Sequence, residues 1–395
     1  MNPIYITSYP IRWLFGFLSL FSHLFVKTNP KRIVLTSFHG KGYRGNTKAI
    51  FERLVEHEKF EPVWLSTDSN IISNIRFTYG GKYTCKMHSL RGLRYLGQSA
   101  ATLFTHGTSD FPFIYIPRSS VRIQTYHGLP TKRGEFLRPN RDKKPGFIHR
   151  MILNYRFKPI SYFLSSSPVV TEIYSSRFGL PKNRFLEIGY PAYDELINSK
   201  HTRKQFKQIW PNVPDSNHLI LYAPTFRRRK KTEWFPFEDR DIVEFAKFLE
   251  KNSALLAFRA HPNERVAVNE YQKISPRFVN ASQEQIENIN TLLNLSDVIL
   301  TDYSSVYIEG LLKNIPVIFI PYDLETYERG LPLPYERVTP GPKVNHQIEL
   351  IDSLQEAIDH PHKFSSERDR VRNLFFSACD GSATDRMIQF LEEKL

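Results

Sequence analysis

Arg32-Ile33-Val34-Leu35-Thr36-Ser37-Phe38, then His39-Gly40-Lys41-Gly42, then a stretch of helical period from Asn46 to His57, is the passage on which the fold turns. The first piece is a short β-branched and aromatic run and reads as a strand. The second is a polar, glycine-punctuated loop, and the third is a helix expected to begin near an Asn cap. Glu61 to Ser66 supplies the next strand. Strand, loop, helix and strand in that order are the grammar of a parallel α/β sheet.

The pattern continues outward from this passage. Further strands are expected at Ala101 to Thr105, Val121 to Thr125 and Tyr162 to Ser165, and Arg184 to Ile188 leads into the turn Gly189-Tyr190-Pro191. A polar stretch at 198–216, carrying Pro211 and Pro214, interrupts the alternation. It restarts with Leu219 to Tyr222, Leu255 to Arg259, Val298 to Thr301 and Val317 to Ile320. The chain has 395 residues, and at roughly 150 residues per domain this restart marks a second α/β domain. The expected division is 1–30 for an apolar amino-terminal helix, 31–200 for a first Rossmann-like domain and 201–395 for a second.

Composition bounds the function. Hydrophobic residues make up 41% and charged residues 24%, enough for large cores and too little polarity for extended disorder. The net charge of +14 draws the protein to polyanions: nucleic acid, acidic phospholipid or a phosphate-rich substrate. No nucleic-acid-binding motif accompanies that charge, so nucleic acid is not expected as a partner. Cys85 and Cys379 belong to no CxxC pair, which supports neither a disulfide framework nor a cysteine zinc site and suits a reducing cytoplasm. Residues 11–26 are the most apolar run but contain Arg12, Ser19, Ser22 and His23, and they fall short of the roughly 20 residues a spanning helix needs. Two readings stay open for them: an interfacial helix anchored by Trp13, Phe15, Phe21 and Phe25, or a helix buried against the first domain.

Open parallel sheets bind ligands outside the carboxyl ends of their strands, so polar residues just after a strand are the first site candidates. His39, His106 and His127 each precede a glycine at such an end, and His261 lies in Arg259-Ala260-His261-Pro262. His39 and His106 are read as capping or core-satisfying side chains. His127 and Gly128 stand apart because Lys132 and Arg133 follow closely and offer an anion site. In the second half, the loop holding Thr225 and Arg227 and the loop holding Arg259 and His261 each bring a cation to a shared crevice, which favours phosphate. Arg228, Arg229, Lys230 and Lys231 read as a solvated or steering patch. Thr301-Asp302-Tyr303-Ser304-Ser305-Val306-Tyr307-Ile308-Glu309 reads as a strand end, a polar loop and a helix start. Ser304 and Ser305 suit a pyrophosphate there, and Glu309 suits a ribose; the competing reading has Asp302 and Ser304 only capping the helix.

Taken together, these motifs resemble the CDP-glycerol glycerophosphotransferase family, the teichoic-acid primases and polymerases. The resemblance runs from about Ser37 to the carboxyl terminus. It takes in Gly40 to Ala49, Tyr126-His127-Gly128-Leu129-Pro130, Gly189-Tyr190-Pro191, Ala223 to Arg227, Arg259 to Pro262, Asp302 to Ser305, Pro340-Gly341-Pro342 and Asp380-Gly381-Ser382-Ala383. It implies a GT-B architecture, two Rossmann-like domains facing across a cleft. It also implies transfer of a polyol phosphate from a CDP-polyol to a hydroxyl of a lipid-linked or glycan acceptor of teichoic-acid or capsule type, with release of CMP. By that resemblance His127 is the base, His261 binds the donor pyrophosphate, and the serine loop and Glu309 also serve the donor. Glu309 stands where the family often has Asp, and Ala192 where it often has Arg. The nearest rival is a glycosyltransferase of the same architecture using a nucleotide sugar. The expected setting is the cytoplasmic face of the plasma membrane, bound peripherally to an anionic surface. No dedicated metal site is expected; any Mg²⁺ would ride on the diphosphate.

Overall fold

The computed structural model describes residues 14–21, 26–126, 128–130, 151, 157–199, 205–227, 231–261, 264, 266–327 and 331–395. The chain divides into two units, one of Met1–Gly128, Asp142–Asp194 and Ser377–Leu395, the other of Leu129–Arg141 and Glu195–Phe376.

The first unit carries seven parallel strands: β1 (Asn29–Leu35), β2 (Glu61–Ser66), β3 (Thr84–Lys86), β4 (Ser99–Phe104), β5 (Val121–Gln124), β6 (Tyr162–Leu164) and β7 (Phe185–Leu186). They lie in the order β3-β2-β1-β4-β5-β6-β7. Helices cover both faces of such a sheet, so its central strands read as continuous apolar runs. Ile33, Val34, Leu35, Val63, Trp64, Leu65 and Leu103 are all fully buried. Leu35 is level with Trp64 on one side and Leu103 on the other, so the loops leaving β1, β2 and β4 start from one edge.

The second unit carries β8 (His218–Tyr222), β9 (Ala254–Phe258), β10 (Phe278–Asn280), β11 (Val298–Thr301) and β12 (Val317–Phe319), all parallel and ordered β10-β9-β8-β11-β12. Ile220, Leu256, Phe258, Val298 and Leu300 form the middle of its core. Strand order reverses between β8 and β11, which is where ligand crevices open in this class of sheet. Tyr222 is level with both Leu300 and Phe258, and Thr301 with Phe319, so the loops after β8, β9, β11 and β12 leave the same carboxyl edge.

Three expectations change. The carboxyl-terminal segment was assigned to the second domain, yet Ser377–Leu395 belongs to the first unit. There Asp194 accepts hydrogen bonds from Ala383 N at 3.0 Å and Thr384 N at 2.7 Å and so caps the last helix, Ala383–Lys394. This explains two motifs at once, since Arg386 Nε also donates to Ile188 O at 2.9 Å, fastening the Gly-Tyr-Pro turn to the Asp-Gly-Ser-Ala turn. Secondly, Asn46 does not cap its helix. That helix runs Gly45–Val55 with Arg44 at the cap position, while the Asn46 amide bridges Thr125 O and Ala192 N at 2.9 and 3.0 Å. Thirdly, the described part of the apolar amino terminus is helical at 14–21 only; the expectation for 1–13 and 22–25 lies outside the described residues. Ser19 Oγ accepts from Tyr115 N at 2.8 Å and so holds this helix on the first unit. Leu14 and Phe17 remain 57% and 60% exposed. Among the described residues no helix is long and apolar enough to cross a membrane.

Candidate active site

At the carboxyl edge of the second sheet a buried aspartate ties the loop after β8 to the loop after β11, and through Arg227 to the loop after β12. Asp302, 1% exposed, is the first residue after β11. Its carboxylate accepts from Thr225 N at 2.9 and 3.0 Å and from Thr225 Oγ1 at 2.6 Å, so the loop after β8 is laid across the switch point. It also accepts from Tyr303 N at 2.5 Å and from Arg227 Nη2 at 2.9 Å. Asp302 and Ser304 are therefore not side-chain caps. The short helix Val306–Gly310 has Ser305 at its cap position and receives no side-chain cap.

Arg227 departs from its expected role. Its guanidinium is 4% exposed and lies between two aspartates: Nε donates to Asp323 Oδ2 at 2.9 Å, and Nη2 to Asp323 Oδ1 at 2.6 Å as well as to Asp302. Tyr303, Tyr322 and Tyr327 stand around it, with ring centroids 4.9, 5.2 and 5.5 Å from its central carbon. Burial pulls the guanidinium toward neutrality, but the Asp323 hydrogen bonds and the Asp302 charge outweigh it, and its pKa is held well above the ordinary value. With two carboxylates on one cation, the cluster has no surplus positive charge for a phosphate. Arg227 fixes the loops instead. Tyr303 OH donates to Asp323, and burial pushes that phenol far up. Asp323 went unremarked in the sequence, although it follows β12 as the other candidates follow β8, β9 and β11.

Arg259 is also held by the protein. Its Nη1 donates to Ala281 O at 2.8 Å and Ile286 O at 2.6 Å, binding the loop after β9 to the loop after β10. Burial lowers its pKa to about 10, which leaves it cationic at neutral pH. His261 is exposed, and the Phe226 ring stacks on it at 4.7 Å and 22°. Ser304 and Ser305 are half-buried beside the Asp302 knot, and Glu309, one turn further on, is 9% exposed. The structure thus joins Thr225, Arg227 and Asp302 directly and sets His261, Ser304 and Ser305 on neighbouring loops of that edge, while Arg259 engages the far side. Gly128 belongs to the first unit; its carbonyl accepts from Tyr174 OH, and open space surrounds its Cα. His127, Lys132, Arg133 and the basic residues Arg228, Arg229 and Lys230 lie outside the described residues. No group of three or more His, Cys, Asp or Glu suited to a metal ion occurs among the described residues.

Two parallel α/β sheets, one with its loops drawn together at a strand-order switch, define a Rossmann-type protein whose candidate ligand site is that carboxyl edge. The chain belongs to the CDP-glycerol:poly(glycerophosphate) glycerophosphotransferase family, whose model matches residues 18–393. It is 29% identical to the teichoic acid glycerol-phosphate transferase of Staphylococcus aureus, over 91% of this chain and 92% of that protein. It is 25% identical to the teichoic acid poly(glycerol phosphate) polymerase of Bacillus spizizenii, over 93% of this chain and 92% of that one. Its fold is similar to that of the wall teichoic acid polymerase TagF, with a TM-score of 0.77 and 21% identity over 97% of this chain and 92% of that chain.

Proposed function

We propose that the chain moves glycerol phosphate, or a related polyol phosphate, from a CDP-polyol to a hydroxyl of a membrane-linked teichoic-acid or capsule acceptor, releasing CMP. Family membership supports the reaction class. The observation that supports assigning the donor to the second unit is the Asp302 knot, which ties the loop after β8 to the Ser304–Ser305 loop, with Phe226 of the former stacked on His261. Backbone N–H groups, serine hydroxyls and an imidazole suit the diphosphate, and Glu309 suits the ribose. Arg227, Asp302 and Thr225 hold that edge in shape. Lys132 and Arg133 take the acceptor's anionic part.

The chemistry needs positioning and charge stabilisation rather than a covalent enzyme intermediate. His127 takes the proton of the acceptor hydroxyl, and the oxygen attacks the phosphorus that bears the polyol. The bond from that phosphorus to the CMP oxygen breaks, a phosphodiester forms, and CMP departs with His261 at its phosphates. The GT-B reading is supported by the two parallel sheets and by the likeness to TagF.

A peripheral site on the cytoplasmic membrane face fits the apolar helix at 14–21. Leu14, Phe17, Leu20 and Phe21 are exposed there together with Phe113, on a chain of net charge +14.

The test is CMP release by the purified chain from CDP-glycerol, with CDP-ribitol and UDP-sugars in parallel, a lipid-linked acceptor and a His127→Ala control. Acceptor-dependent CMP from one CDP-polyol, lost in the control, is expected. UDP release would move the protein to the sugar transferases, and full turnover by the His127→Ala variant would remove His127 as the base.

A further inference from the structure

The switch point of the first sheet, between β1 and β4, holds a cluster that the mechanism above does not use. Asp110, fully buried, closes the loop after β4. Its carboxylate accepts from Thr105 N at 2.6 Å, Thr105 Oγ1 at 2.8 Å and His106 N at 3.0 Å, and from His39 N, in the loop after β1, at 2.6 Å. Both loops are thereby locked to one carboxylate whose oxygens are occupied by protein donors.

That arrangement settles which nitrogen of each nearby imidazole carries hydrogen. The Thr105 hydroxyl gives its proton to Asp110, so its 2.7 Å bond to His106 Nδ1 has Nδ1–H as the donor. His39 Nδ1 lies 3.3 Å from Ser109 O, and a carbonyl only accepts, so this Nδ1 is protonated too. The two rings are 4.6 Å apart. In this arrangement the Nδ1 side of each ring is turned to the protein.

The backbone is bent to make this pair. Phe38 and His39 have φ of 48° and 61°, the left-handed region that non-glycine residues avoid. Arg44 lies 4.0 Å over the Phe38 ring, which also meets the His106 ring at 5.0 Å, and Lys41 is exposed in the same loop. Arg44 Nε is buried without a hydrogen-bond partner, and so is the hydroxyl of Ser37, which lies 3.1 Å from where a Cβ on Gly42 would stand. Two imidazoles thus stand side by side on the two loops that Asp110 joins.

We propose that His39 and His106, backed by Asp110, form a clamp for a phosphate ester of the acceptor, the one nearest the attacking hydroxyl. An anionic, oxygen-rich ligand at the carboxyl edge of a parallel sheet answers that set of donors. Its assignment to the acceptor rests on the donor lying at the second unit, as proposed above. His39 and His106, read from sequence as capping or core-satisfying residues, thereby become specificity-determining.

The experiment uses the full chain and two soluble acceptors that differ only in carrying or lacking a terminal phosphate ester. The wild type is expected to favour the phosphorylated acceptor by about tenfold in kcat/KM, the effect of one charge-assisted contact. His39→Asn, which tolerates the left-handed backbone, and His106→Asn are expected to abolish that preference while KM for the CDP-polyol stays within about twofold. A second measurement needs no turnover: titration with glycerol 3-phosphate should shift the imidazole ¹⁵N signals of both histidines together, and His39→Asn should remove the His106 shift. Unchanged acceptor preference in both variants, a donor KM rising in step, or histidine signals that ignore glycerol 3-phosphate would each overturn the clamp. Absence of CMP release by the wild type with every acceptor would instead sink the transferase reading, leaving the titration to decide on phosphate binding.

Discussion

Arg227 carries the lesson at the scale of a residue. In sequence it is a cation after a strand, and such a cation reads as a ligand for phosphate. Burial between Asp302 and Asp323 turns it into a strut, because an arginine surrounded by carboxylates and phenols has no hydrogen bonds or charge to spare. Asp323→Asn removes one carboxylate from a buried network, and we expect it to cost about 3 kcal/mol of stability by urea unfolding. The double variant Arg227→Met, Asp323→Leu should lose less than the sum of the two single changes, since removing both partners leaves no uncompensated charge. Phe226 gives the opposite case. It touches the exposed face of the site by stacking on His261, so Phe226→Ala should raise KM for the CDP-polyol by about threefold to tenfold with unfolding unchanged, measured by CMP release. The residue types at the strand ends were legible in sequence; their burial was not, because burial depends on partners such as Asp323 that lie 96 residues away along the chain.

At the scale of elements, the strands with long apolar runs were legible: β1, β2, β8, β9 and β11 stand within a few residues of where the pattern places them. Those that escaped, β3 and β10, have only three residues each and sit at sheet edges, too short for periodicity to register. Helix starts were the weakest point. Asn46 and Asp302 are good cap residues by type, yet tertiary partners claim both side chains. The Pro340-Gly341-Pro342 motif also has an elemental reason: Phe319 N donates to Pro342 O at 2.9 Å, and a Cβ on Gly341 would stand 2.0 Å from Val317 O. Only a residue without a side chain lets this segment lie along β12. Gly341→Ala should therefore cost about 2 kcal/mol or more, seen as a lower unfolding midpoint, because the clash is with backbone that cannot step aside.

For the whole molecule, charge and pH come into play. Asp380 is held below the usual carboxylate range by its hydrogen bond from Arg386, and Asp239 by the N–H of Gln347. A depressed carboxylate contributes stability that is whole above its unfolded pKa, about 4, and is lost as pH falls through the lower folded value. Asp380→Asn should thus lower the melting temperature by about 2 °C at pH 7 and by less as the pH is taken below 4, followed by calorimetry; the pair is exposed, which keeps the effect small. The division into two α/β units was readable from the restart of the strand pattern after 216, whereas the return of the chain end to the first unit was not, since it depends on Asp194 meeting Ala383 and Thr384 almost two hundred residues later.

That return sets an order of events during synthesis. The helix Ala383–Lys394, which is held in the first unit by the Arg53–Asp385 pair, leaves the ribosome only after the stretch from Glu195 to Phe376 is out. The first unit is begun before the second but completed after it, and until that helix emerges it stands open where the helix belongs. Newly made chains stalled before Ser377 would therefore hold a finished second unit and an unfinished first one, and a nonsense mutation at that point would damage the unit whose synthesis began first.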